Sequence, residues 1–213
     1  MPHLAHAVRR HAAFITAVVL ALSPAAVRPA ASVERAERAE RAELVELAAS
    51  AERTELSELV ELIVRRILLA GEVAAAKFAA AVPITDPVRE RQLLDAVAVQ
   101  AARSGLAPET AVGFFRAQIE ASKLVQRGLH ERWRVHPALR PRRSPDLATA
   151  VRPRLDRLTP RMLRLLRQSA SVRAVPARCR AQVTAARTIV QSRAHLDRLH
   201  RDALNLALPP ICA

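Results

Sequence analysis

The segment "ELVELIVRRILLAGEVAAAKF", residues 58–78, puts two cations where a helix should be greasiest. At about 100° per residue, the eleven-residue step from Arg66 to Lys77 makes about three turns, so both project from one face roughly 16 Å apart. Leu59, Leu62, Ile63, Leu69, Ala70 and Val73 surround them on that face, while Glu58, Glu61, Arg65 and Glu72 form a narrow polar strip opposite. Lysine and arginine are almost never fully buried unless paired, so two inward cations call for an anion.

The anomaly recurs twice. In "TDPVRE", Asp86 and Glu90 project onto the face of Leu93, Leu94, Val97 and Ala101, with Arg89 at its edge. Further on, Ser122 and Gln126 lie one turn apart amid Ala111, Val112, Phe115, Ile119, Val125, Leu129 and Trp133. Each has a bland reading taken singly. Asp86 can be a helix cap, Glu90 and Arg66 one buried ion pair, Ser122 a hydroxyl bonded to its own helix, and Gln126 a satisfied core amide. Taken jointly, they describe a polar pocket between packed helices. The pocket set has no thiol, no histidine, no acid pair isolated for proton transfer and no Gly-rich phosphate loop. It calls for no metal and no cofactor. Cations, carboxylates, a hydroxyl and an amide suit a small dianion that carries a hydroxyl.

The elements that hold these groups are helices. Apolar residues make up 51% of the 213, led by Ala, Leu and Val, with four glycines and no tyrosine, which favours an all-α fold. A first long helix is expected from about Thr54 to Ala81, stopping at Pro83. A second is expected from Asp86 as cap and Pro87 as first helical residue to Arg103, before Gly105. A third follows from "APETAVGFF" to about Arg134, and short links make neighbours antiparallel. Residues 146–170 form a weaker pattern that Pro153 and Pro160 should kink or break. Two shorter helices, about 177–192 and 195–207, complete a bundle of about six.

The first 25 residues read as a secretory signal: a basic start, the short apolar run "AAFITAVVLAL" and small residues for cleavage between 25 and 31. An uncleaved anchor is the alternative. Residues 32–52, with three ERA triplets, read as a charged leader able to form only a solvated helix. Residues 53–135 then form a three-helix core and 136–213 a C-terminal helical part of the same domain. No later segment is apolar enough to cross a membrane, so the exported chain, secreted or periplasmic, is expected to be soluble.

The formal charge of +14 falls to +11 once Arg9, Arg10 and Arg28 go with the signal. A nucleic-acid partner is not expected, because the arginines of residues 140–173 are not interleaved with stacking aromatics and export removes most nucleic acid from reach. The only two cysteines, Cys179 and Cys212, are expected to form a disulfide in an oxidising compartment.

Arg66, Lys77, Asp86, Arg89 and Glu90, followed by Ser122 and Gln126, are spaced as Arg, ten residues, Lys, eight residues, Asp-x-x-Arg-Glu, then Ser-x-x-x-Gln. This pattern resembles the all-helical chorismate mutases, and the signal sequence with a C-terminal cysteine pair resembles their secreted subclass. The resemblance implies conversion of chorismate to prephenate without proton transfer or a nucleophile. It implies that Lys77 and Gln126 donate to the ether oxygen, Arg66 and Ser122 hold carboxylates, Asp86 and Glu90 meet the ring hydroxyl, and Arg89 orients them. It also implies a homodimer, with an arginine of the fourth helix completing a pocket within one chain. Arg161 in "LTPRMLRLL" is the nearest match, with Arg157 and Arg164 as substitutes. An isochorismate pyruvate-lyase would use a similar pocket, and a non-catalytic exported binder of an anionic ligand or partner is the reading from another class.

Overall fold

The computed structural model describes residues 30–213, so the expected signal sequence lies outside the described residues. The described residues are helical, with no strand among them. The first element, α1, runs from Ala30 to Ala79, starting well before the Thr54 expected from sequence. Nothing interrupts it: no proline lies within it and no glycine precedes Gly71, while Ala, Glu, Leu and Arg are strong helix formers. The ERA spacing adds an i,i+4 pair, Arg38 to Glu34 at 3.1 Å. Glu37, Arg38, Glu40 and Arg41 are all exposed.

Of the described residues, 30–42 and 43–213 fall in two separate units, and the second carries the core. Within it, α1 is nearly solid hydrocarbon on its inner face, where Leu56, Leu59, Val60, Leu62 and Ile63 have no exposed surface. The helix stops in a left-handed turn. Ala81, at φ 53°, donates to the Phe78 carbonyl at 3.3 Å while Val82 donates to the Lys77 carbonyl at 3.1 Å. These are the two bonds of a Schellman ending, with alanine where glycine is usual.

Helix α2 spans Pro87–Arg103, and Asp86 caps it by accepting from the Arg89 N–H at 3.0 Å. Helix α3 spans Pro108–Val135. It runs antiparallel to α2, with Lys123 reaching Glu90, and parallel to α1, with Arg66 beside Phe115 and Phe78 beside Trp133. Phe114 and Phe115 are fully buried at the centre.

Where sequence suggests a kinked or broken helix over 146–170, a wide turn at Leu147–Val151 leads into α4, Arg152–Gln168. Pro153 falls in the first turn of α4, where its missing N–H costs nothing. Pro160 lies inside α4, yet the helix does not break there, because Leu158, Met162, Leu163, Leu165 and Leu166 are all buried around it. Helix α4 is antiparallel to α1: Arg154 pairs with Glu72 and Arg161 with Glu58.

A short α5, Ala170–Arg173, precedes α6, Pro176–Arg193, and α7, Arg198–Ala207. Helix α7 lies antiparallel on α3. The Gln118 amide donates to the Ala207 carbonyl at 3.0 Å, and Gly128 admits the Leu199 side chain so closely that a Cβ there would meet it at 2.7 Å. The expected disulfide is present, Cys179 to Cys212 with Cα atoms 5.7 Å apart. Beside it the Arg173 guanidinium donates to the Ile211 carbonyl at 2.7 Å.

Candidate active site

Three helices and the turn between the first two converge on one cleft. It holds a cavity of about 130 Å³. Arg66 and Lys77 come from α1, Asp86, Arg89 and Glu90 from the start of α2, and Ser122 and Gln126 from the middle of α3. All seven polar residues read from these three segments therefore line one site.

Arg66 is the most exposing of its purpose. It is only 7% exposed, and its Nε and Nη1 are buried without a hydrogen-bond partner. The guanidinium stacks 5.6 Å from the Phe115 ring centroid. Burial pulls its pKa down to about 10, against the opposing pull of the Asp156 carboxylate. A buried cation with unpaired donors is a place prepared for an anion.

Lys77, at the end of α1, donates to the Ile84 carbonyl at 2.6 Å. Burial lowers its pKa first; the Asp86 and Glu90 carboxylates pull back up, and the Arg152 and Lys123 cations push down. Gln126 is 4% exposed, bonded through Nε2 to the Ser122 hydroxyl at 3.0 Å, with Oε1 left without a partner. A hydroxyl both donates and accepts, so the same bond forms with the amide turned over, which presents Nε2 to the cleft as a free donor. Ser122 thus bonds the Gln126 side chain rather than the carbonyl of its own helix.

Asp86 serves both readings, capping α2 and lining the cleft, and its N–H lies 3.4 Å from Glu90 Oε1. Arg89 reaches Asp156 Oδ1 at 3.8 Å. Glu90 pairs with Lys123, not with Arg66.

Arg161 is not in the cleft. Its guanidinium donates to Glu58 at 2.8 Å on an exposed flank of α1. The antiparallel register explains this: Glu58 lies eight residues before Arg66, about 12 Å along the axis. Arg157 shares that flank, and Arg164 lines a groove between α2 and α4. Only the first turns of α4 reach the site, and they bring Arg152, Leu155 and Asp156. Arg152, Asp156 and Lys123 are the polar lining residues that the sequence reading missed. Arg152 and Asp156 follow from the register of α4 on α1, which no local pattern encodes. Lys123 carried a local signal, a lysine adjacent to Ser122 on the same apolar helix.

The lining carries five cations, Arg66, Lys77, Arg89, Lys123 and Arg152, against three carboxylates, Asp86, Glu90 and Asp156. The excess of two positive charges matches a dianion. No side chain stands ready as a nucleophile, so the arrangement binds, orients and polarises.

Residues 57–127 match the family described as chorismate mutase type II. The chain is 35% identical over 148 residues to the secreted chorismate mutase of Mycobacterium tuberculosis, covering 69% of this chain and 73% of that one. It is 32% identical to the secreted chorismate mutase of Mycolicibacterium smegmatis, covering 70% and 81%. Among solved structures, the chorismate mutase of Burkholderia thailandensis superposes with a TM-score of 0.71 at 38% identity, over 75% of this chain and 99% of that one. That of Burkholderia phymatum gives 0.72 at 34%, over 76% and 99%. With the spacing of its seven cleft residues and its helical fold, the chain belongs to the chorismate mutase type II family.

Proposed function

We infer that the protein is an exported chorismate mutase, converting chorismate to prephenate in the cleft of a single chain. The reaction is a pericyclic rearrangement: the ether carbon–oxygen bond breaks as a new carbon–carbon bond forms, and no proton moves. A protein accelerates such a step by holding the folded conformer and by stabilising the negative charge that develops on the ether oxygen.

The observation that carries this reading is Arg66, a buried guanidinium with two unpartnered donors, sharing a cleft with Lys77 and Gln126. Arg66 takes one substrate carboxylate in charge-assisted hydrogen bonds. Arg152 takes the second from the start of α4 and so completes the pocket, the part that the family resemblance gave to Arg161. Lys77 and the Gln126 amide donate to the ether oxygen from α1 and α3, and Ser122 orients that amide. Asp86 and Glu90 accept from the ring hydroxyl, and Arg89 holds the Asp156 side of the cleft.

Export accords with the leader-like first 25 residues and with the name of the mycobacterial relatives. No helix among the described residues is long and apolar enough to cross a membrane. Residues 32–52 are the leader to the folded part, and the mature chain pairs as a homodimer.

The test is loss of chorismate absorbance with prephenate detected by acid conversion to phenylpyruvate. Prephenate at a rate well above the uncatalysed background supports the reading. Binding without turnover would make the protein an anion-binding module, and pyruvate release from isochorismate alone would make it a lyase.

A further inference from the structure

Lys123 follows Ser122 on α3 and lines the same cleft, yet it has no part in the scheme above. It is 9% exposed. Its ammonium donates to both oxygens of Glu90 on α2, at 3.1 and 3.3 Å, and forms an ion pair with Glu120 Oε1 on its own helix at 2.6 Å. Both carboxylates that it meets therefore sit on one ammonium. Burial depresses its pKa, but its contacts to the Glu120 and Glu90 carboxylates more than offset this and raise it above the ordinary lysine value, so the ammonium stays charged at neutral pH.

Glu90 is thereby held from two sides. Lys123 bridges its oxygens from the facing helix, and the Asp86 N–H approaches Oε1 at 3.4 Å from its own. A glutamate has three rotatable side-chain bonds, and fixing them beforehand removes an entropy cost from substrate binding. Lys123 also screens a carboxylate that would otherwise face the two carboxylates of a dianionic substrate.

We propose that Lys123 is a positioning residue of the reaction: it clamps Glu90 as acceptor for the ring hydroxyl and so selects hydroxyl-bearing substrate. The proposal rests on the chorismate reading and on Glu90 meeting the hydroxyl. A lysine that merely tied α2 to α3 would not distinguish substrates by that group.

The experiment compares kcat/KM for chorismate and for the analogue whose ring hydroxyl is replaced by hydrogen, in the native protein, Lys123→Met, Lys123→Arg and Glu90→Ala. Lys123→Met is expected to lose about tenfold or more on chorismate and less than about threefold on the deoxy analogue. Lys123→Arg should restore most of the loss, because a guanidinium also bridges a carboxylate. The ratio between two substrates on one preparation is independent of how much of a variant folds. Equal losses on both substrates, or no loss on chorismate, overturn the proposal. If Glu90→Ala discriminates between the substrates and Lys123→Met does not, only the role of Lys123 falls. If neither discriminates, the assignment of Glu90 to the hydroxyl falls with it.

Discussion

Lys77 is fastened to the turn that follows it, its ammonium bonded to the Ile84 carbonyl at 2.6 Å and its own carbonyl bonded to the Val82 N–H at 3.1 Å. Helix end, turn and cleft cation are one unit, so the position of the ammonium is fixed by the fold. Lys77→Ala should lower kcat by at least about a hundredfold, the scale of one lost transition-state donor. Steady-state kinetics with saturating chorismate measure it, and near-native turnover would remove Lys77 from the mechanism.

The same turn holds Ala81 at φ 53°, where a Cβ is unfavourable. Ala81→Gly should relieve this and stabilise the protein by about 1 kcal/mol, less the added freedom of the unfolded chain. A raised midpoint in thermal or urea unfolding with kcat unchanged is the expected result, and a lowered midpoint contradicts it.

Arg152 and Arg161 offer a paired test of how α4 meets α1. Arg152→Ala should raise KM for chorismate about tenfold or more by removing a carboxylate contact. Arg161→Ala breaks only an exposed pair with Glu58 and should leave kcat/KM within about twofold. The reverse order of effects would place α4 in a different register.

Acid and alkali should act on different groups. Arg66 is charged below its pKa of about 10 and neutral above it, so kcat/KM, which reports the free enzyme, should fall as pH rises towards that value. Lys77, depressed by burial, loses its charge in the same direction and joins the same limb. Through neutral and mildly alkaline pH the native profile should be flat, because the Gln126 amide does not titrate. Gln126→Glu should be active mainly in acid, where the carboxyl keeps the proton it must donate. Equal rates for Gln126→Glu and native protein at pH 8 would exclude Gln126 as the ether-oxygen donor.

Reduction of Cys179–Cys212 reopens a loop with a sequence separation of 33. The loss should be roughly 3 to 4 kcal/mol on the chain-entropy view. A lower melting temperature in reductant, with kcat retained below it, is the expected result. A matching fall in kcat at low temperature would tie the disulfide to the cleft.

The seven cleft residues on α1, α2 and α3 were legible because each breaks the apolar rule of its own helix face, and a violation of periodicity is a local signal. Helix ends at Asp86, Pro87 and Gly105 were legible for the same reason, since capping chemistry is written in adjacent residues. The start of α1 was not: its first half is helical by intrinsic propensity, and solvated residues leave no inward face to mark a boundary. Arg161 was misplaced because the choice among the many arginines of α4 depends on how α4 slides along α1. That register is set by Leu158, Met162 and Leu166 finding room in the core, a long-range fit no short spacing records. Pro160 did not mark a break, because burial on both sides outweighed that local tendency.

The last turn of the chain is locked into the body of the protein. Ile211 is fully buried, its carbonyl is held by Arg173, and Cys212 is bonded to α6. Proteases should therefore spare the bonds of this turn while the disulfide is closed. Surface-coupling chemistry at this turn would crowd the disulfide, whereas the exposed residues 43–47 of α1 offer attachment points in solvent.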